Sequence, residues 1–431
     1  MRLSALGLAL GAASLLGLPA VASAGTTADE VDCSVYAADD TAASTDAEHV
    51  PFALLGVDRA HALFARAGKE PGEGVRVAVL DSGVTRESGL LDVVDGPRFS
   101  LSDALGDHHG STVAGLIAGD ARPQGGPVGI APGAEVVDVR VYDRGEPQDG
   151  EVGVETAGVV DGLRWVAGNA RRLGIGVVNV SVALPHSRSL EDAVAAVVAE
   201  DVVVVAASGN RPQSEADPLF TTFGGGPRRG EDAARSVFPA GYPGVVAVNA
   251  TAAGYLDDSG NPVDATGSVM LSSATDVAAP TYGAVSLAVN GSTCSLLQVA
   301  TSWSTAEVSG VVSLLRSWYD DENAAQVIAR LTETADGTTG DPTRLTGAGV
   351  VQPFEALTRP LSPDRRGRVE RATTEASDIP RATAPDPRTD PLDPVRQQAV
   401  WWGLLGGSLL VLALLIRPLL TRDRRVGASS R

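Results

Sequence analysis

Positive charge is what this sequence has too little of. Against 53 acidic residues it sets 34 basic ones, for a formal net charge of −19, and a chain of that sign repels phosphate backbones and offers them no basic footprint. Nucleic acid is excluded as a partner. The acidic residues never gather into a dense loop of the calcium-binding type, so neither a required metal nor a cofactor is expected. Cysteine is limited to Cys33 and Cys294. An exported compartment favours their pairing, with two separate thiols as the alternative. No internal repeat is visible. With 44% hydrophobic and 20% charged residues the chain is too apolar to be disordered throughout.

The two ends point to that compartment. Residues 1–24 carry Arg2, a short apolar stretch and the small-residue site Ala22-Ser23-Ala24, which reads as a secretory signal cleaved after Ala24. Residues 399–420 include the uncharged run "VWWGLLGGSLLVLALLI" with paired tryptophans at one edge. Arg417, Arg422, Arg424 and Arg425 follow it, and such arginines stay cytoplasmic. The expected topology is a single-pass type I membrane protein with a cytoplasmic tail at 421–431.

Between the ends, residues 25–50 are acidic and without periodicity, an N-terminal extension. Residues 51–357 alternate continuous apolar runs ("VRVAVLD", "AEVVDVRVY", "GVVNVSV", "VVVVAASGN") with amphipathic stretches such as "AGVVDGLRWVAGNARRLG". Unbroken apolar strands between helices predict an α/β domain built on a doubly wound parallel sheet. "FALLGVDRAHALFARAG" predicts one helix packed on that domain. Residues 358–398 are proline-rich and charged, a stalk that in a polyproline-like state spans up to about 100 Å. The stretch "RPQSEADPLFTTFGGGPRRGEDAARS" predicts a mobile loop overhanging a cleft.

In open α/β sheets chemistry gathers where strands end. Asp81 closes an apolar strand in "VRVAVLDSGV", His109 precedes Gly110 in "DHHGSTVAGLIAG", Asn210 follows Gly209 in "VVVVAASGN", and Ser302 opens "SWSTAEVSGVVSLL", whose Val308, Val311, Val312 and Leu315 recur at helical spacing. Each alone reads as a turn, cap or surface residue. Together they are the parts of acyl transfer: a hydroxyl, an imidazole to take its proton, a carboxylate to orient the imidazole, and a donor for the oxyanion. The chain order Asp, His, Ser is that of subtilisin rather than of chymotrypsin or the α/β-hydrolases.

"VAVLDSGV", "HHGSTVAGLIAG", "VVNVSVALP", "VVVVAASGN" and "ATSWSTAEVSGVVSLL" resemble, in order, the signature segments of the subtilisin-like serine proteases. "AAQVIARLTETADG", "GAGVVQPFEALT", the extension and the two terminal segments are similar to the mycosins, the membrane-bound subtilisin-like proteases of type VII secretion systems. The resemblance implies that Ser302 is the nucleophile, His109 the general base and then acid, Asp81 its orienting carboxylate, and Asn210 an oxyanion donor beside the Ser302 backbone N–H. It also implies that Ser181, Val182 and Ala183 line the edge against which a polypeptide substrate pairs. His108 is the alternative imidazole, but only His109 stands before the glycine. His49, His61 and His186 read as surface residues.

The chain departs from the pattern at three places. Ala300 stands where the family has glycine, Ala306 and Glu307 stand where it has a helix proline, and Ser111 replaces threonine. A methyl at residue 300 would crowd the backbone if that residue needed φ > 0. If Cys33 bonds Cys294, the extension is a retained clasp rather than a released inhibitor. Two functions are implied: an endopeptidase acting on exported polypeptides at the outer membrane face, or a scaffold that stabilises a type VII secretion membrane complex with catalysis weak or dispensable.

Overall fold

Valine and alanine fill the inner strand segments because those strands are covered on both faces, whereas the edge strand Val93–Arg98 is only partly buried. In the computed structural model, which describes residues 31–122, 125–215, 217–256, 259–336, 342–370 and 393–421, β1 (Arg76–Asp81) sends Val77 and Val79 into one apolar cluster and Ala78 and Leu80 into another, all fully buried. A strand with two apolar neighbours has no reason to alternate. With β2 (Val93–Arg98), β3 (Glu135–Arg140), β4 (Ile175–Val180), β5 (Val203–Ala207), β6 (Val245–Thr251) and β7 (Val277–Pro280) it forms a parallel sheet ordered β2-β3-β1-β4-β5-β6-β7. β8 (Ala284–Leu287) and β9 (Thr293–Leu296) form a separate antiparallel pair.

The helices divide between the faces, as a doubly wound sheet requires. α1 (Val50–Leu55), α2 (Val57–Ala67) and α3 (His109–Ala118) belong to the first cluster, while α4 (Thr156–Leu173) and α5 (Arg188–Ala199) cover the second. After the short α6 (Phe220–Phe223), α7 (Thr301–Trp318), α8 (Ala324–Thr334) and α9 (Pro353–Thr358) return to the first face. The expected single helix before β1 is two, broken at Gly56, whose φ of 62° ends one helix and starts the next.

α7 is buried on nearly every side and rich in serine, threonine, alanine and glycine, so neighbours approach it closely. α3 is equally close to the turn after β1. A Cβ on Gly110 would meet the Gly83 carbonyl oxygen at 2.4 Å, and Gly83 itself has φ 102°. The Ser-Gly turn after Asp81 and the glycine after His109 are therefore one contact, and it brings those two residues together.

The extension from Val31 to His49 lies along β9. Ser295 N–H donates to the Val31 carbonyl at 2.9 Å, Thr293 N–H to that of Ala43 at 3.0 Å, and Cys33 is disulfide-bonded to Cys294. Arg122 Nη1 donates to the carbonyls of Thr45 and Ala47 at 3.0 Å.

Two expectations fail here. The loop after Asn210 is pinned: Arg211 and Glu231 form an ion pair at 2.9 Å with both side chains almost fully buried, and Phe223 packs with Ala233, Val237 and Met270. His49, read as a surface residue, is buried against Phe52 with the two rings 3.7 Å apart, and His61 Nε2 donates to the Ile130 carbonyl, 2.7 Å away. Chain attachment also continues beyond 357, since Arg330, Gln326 and Asn323 donate to the carbonyls of Leu361, Pro363 and Arg365. The first compact unit runs to Glu370. In the second, α10 (Asp393–Thr421) contains an apolar stretch, Gln398–Arg417, long enough to cross a membrane. The signal segment, the middle of the stalk and the tail after Thr421 lie outside the described residues.

Candidate active site

β1 ends on Asp81, whose carboxylate is fully buried. His109 Nδ1 lies 2.8 Å from its Oδ1 and 3.0 Å from its Oδ2. Two more donors converge on Oδ1, the Ser82 N–H at 2.8 Å and the Tyr142 hydroxyl at 2.8 Å. Burial draws the imidazole pKa down, but the Asp81 charge, its hydrogen bond and Asp107 outweigh that and hold His109 above its ordinary value. His108 goes the other way: burial dominates and lowers it. Only His109 reaches Asp81, so the choice between the two histidines falls to geometry.

Asp107 ties this pair to the cleft wall. Its Oδ1 accepts from the His109 N–H at 3.0 Å and its Oδ2 from the Gly145 N–H at 2.9 Å. Burial would raise this carboxyl, but those N–H bonds and the two histidines hold it below its usual range.

Ser302 sits in the first turn of α7. Its hydroxyl donates to the Ser181 carbonyl at 3.0 Å, and the Ser181 hydroxyl donates back to the Ser302 carbonyl at 3.1 Å. Asn179 and Ser309 extend this buried chain of bonds at 2.8 and 3.0 Å. The link from helix to strand end is therefore polar and doubled. Trp303 lays its ring 5.0 Å from that of His109. Asn210 follows the Gly209 turn, where φ is 103° and a Cβ would strike Met270 at 2.5 Å. Its Oδ1 accepts from the Thr301 N–H at 2.7 Å and the Thr301 hydroxyl at 3.0 Å, so its amide NH₂ is the outward end of an exposed side chain.

Beside these groups lies a cleft of about 990 Å³ whose lining includes His109, Tyr142, Ser181, Val182, Ala183 and Trp303, together with the charged Arg144, Glu146 and Glu151. Ser181 and Val182 are buried and Ala183 is exposed, and β4 stops at Val180, just ahead of them. The extension also reaches the cleft: Ser34 to Ala38 line it. Ala300 causes no crowding, because its φ of −143° is extended backbone open to any residue. Glu307, in the place of the missing proline region, is fully buried with neither carboxylate oxygen bonded, and burial pushes its pKa well up. Among the described residues no cluster of His, Cys, Asp and Glu is suited to a metal.

The sequence profile of the subtilase family matches residues 72–350. The chain belongs to the subtilase family. This subtilase is 33% identical over 342 residues to Mycosin-1 of Mycobacterium tuberculosis (strain ATCC 25618 / H37Rv), covering 72% of this chain and 73% of the relative. It is 31% identical over 335 residues to M-protease of Shouchella clausii (strain KSM-K16), covering 77% and 76%. The MycP3 protease from the type VII (ESX-3) secretion system superposes with a TM-score of 0.54 at 29% identity, over 77% of this chain and 92% of that one. The protein is thus a serine endopeptidase of the mycosin type with the subtilisin-like fold.

Tyr142, Asp107 and Trp303 escaped the reading of this subtilase's sequence. Tyr142 left one signal, a lone hydroxyl at the end of the apolar run "VVDVRVY". Nothing in that run says that it meets Asp81. The β1–β3 register does, by pairing Asp81 with Arg140 two residues earlier.

Proposed function

We propose that this subtilase hydrolyses exported polypeptides through Ser302, His109 and Asp81, from a catalytic domain held outside the cytoplasm by the apolar helix at 398–417. The observation that carries the reading is the Asp81–His109 contact of 2.8 Å, with His109 lining the cleft whose wall residue Ser181 is hydrogen-bonded to Ser302. Turnover requires the Ser302 hydroxyl, which here donates to the Ser181 carbonyl, to turn instead to the imidazole. His109 Nε2 takes the proton as Oγ attacks the scissile carbonyl, and Asp81 stabilises the imidazolium that results. The oxyanion is met by the Asn210 amide and the Ser302 N–H, at a helix N-terminus whose free N–H groups favour negative charge. His109 then returns the proton to the leaving amine, and water repeats the sequence on the acyl-enzyme.

The substrate edge is Ser181, Val182 and Ala183, and the similarity to a protease of a type VII secretion system makes that system's exported proteins the substrate class and its membrane complex the partner. A second reading, a scaffold with little turnover, is favoured by two observations: the Ser302 hydroxyl is bonded to Ser181, and extension residues line the cleft. Labelling by a fluorophosphonate separates the two. Peptidase function requires that the wild type be labelled and Ser302→Ala not; a folded wild type that refuses the probe leaves the scaffold. Comparing culture-filtrate proteins of cells carrying wild type or Ser302→Ala then identifies the substrates.

A further inference from the structure

Three donors share one oxygen of Asp81. Two of them are His109 and the Ser82 backbone N–H, and the third is the Tyr142 side chain, two residues past the end of β3. Its ring is 2% exposed. The phenolic oxygen is 2.8 Å from Asp81 Oδ1 and 3.3 Å from His109 Nδ1, so it stands beside the contact between the carboxylate and the imidazole. A carboxylate has no proton to give, so the hydroxyl donates.

We propose that Tyr142 is a positioning residue of the catalytic pair: its hydroxyl locks the Asp81 carboxylate in the orientation that grips His109 and draws charge from it, setting how strongly the imidazole holds its proton. The proposal rests on the peptidase reading above. Two effects follow from the geometry. An aspartate gripped by a backbone N–H, an imidazole and a phenol has no freedom to rotate, and each proton transfer finds His109 in place. A hydrogen bond into the carboxylate also spreads its charge, so the imidazolium is stabilised less than by a bare Asp81. The other groups facing the pair are Asp107 and His108 from the loop before α3, with the uncharged Trp303 ring from α7 and Asp138 further along β3. All of these stay in place when a single oxygen is removed.

The test is Tyr142→Phe in the full chain, with labelling rate by a small fluorophosphonate measured against pH. In that reaction the Ser302 Oγ–P bond forms, fluoride leaves, and the serine proton passes to His109, so the rate reports the imidazole without a known substrate. The variant is expected to label about tenfold more slowly, the loss of one hydrogen bond to a charged group. Its acidic limb is expected to move to higher pH, by roughly half a unit. An unchanged rate and limb in a variant with wild-type melting temperature overturns the proposal. If the wild type itself is not labelled, the peptidase reading fails, and His109 is then titrated by NMR with selectively labelled histidine. An upward displacement of that titration in Tyr142→Phe still supports the Tyr142 role, and identical titrations refute it.

Discussion

The side-chain oxygen of Asn210 is held 2.7 Å from the Thr301 backbone nitrogen, which fixes the amide's NH₂ as the free end at the mouth of α7. An oxyanion donor needs this arrangement, since its cost of ordering must be met before the substrate arrives. Asn210→Ala is expected to lower kcat by about 10²–10³-fold with KM nearly unchanged, a magnitude taken from a subtilisin. Asn210→Asp should be no better, because it places an acceptor where a donor is required. Steady-state kinetics on a peptide substrate, once one is found, decide this; a loss confined to KM would assign Asn210 to substrate binding.

Asp81 carries the second prediction. Burial lowers the His109 pKa, and the Asp81 charge, its hydrogen bond and Asp107 together more than restore it, so His109 binds its proton more tightly than a free imidazole. Catalysis requires the neutral base, so activity should rise with pH along a limb that lies above the ordinary histidine value of about 6.5. Asp81→Asn removes the charge and disturbs the tautomer, with an expected fall in kcat of about 10⁴-fold and a limb displaced to lower pH. A limb that stays put would mean that another group is being titrated.

How much of this was legible follows from where each contact arises. The sheet could be read because burial on both faces writes itself as unbroken runs such as Val202 to Ala207. Asp81, His109, Asn210 and Ser302 could be read because each closes or opens an element beside a glycine or a helix pattern. Tyr142 could not, since its partner is set by the pairing of β1 with β3, which is a property of register and not of either run. The loop after Asn210 was misread because its glycines and charges imply mobility, whereas Arg211 and Glu231 find each other across twenty residues and bury their charges together. His49 was misread for the same reason. A lone imidazole says nothing of Phe52, which stacks on it only because the chain turns at the start of α1.

Glu307 has no partner for either oxygen and is fully buried on α7. Burial raises its pKa well above that of a free glutamate, so the fold prefers the protonated form. Below about pH 4.5 both folded and unfolded chains carry the proton and the group costs nothing extra. As pH rises past that value the unfolded chain ionises first, and stability is lost until the folded carboxyl ionises too. Glu307→Met, similar in length and without charge, should therefore melt higher than wild type at pH 8 and approach it at pH 4. A melting difference that does not vary with pH would be evidence that Glu307 is ionised in the fold.

Cys33 and Cys294 join the extension to β9, 261 residues apart in sequence. Closing so long a loop restricts the unfolded chain, and replacing both cysteines with serine should cost about 2–4 kcal/mol. The extension keeps other ties, from Ala43 and Thr45 to Thr293 and from Arg122 to Thr45 and Ala47, so the variant should fold. What it should lose is the placement of Ser34 to Ala38, which lie next to the disulfide and line the cleft. A small fluorophosphonate should then label Ser302 at a rate close to that of wild type, since the catalytic groups are untouched, while a bulky peptidyl phosphonate should label it faster. Equal acceleration of both probes would instead show that the bond acts on the catalytic groups themselves, and slower labelling by the bulky probe would show that the extension helps to hold the substrate rather than to screen the cleft.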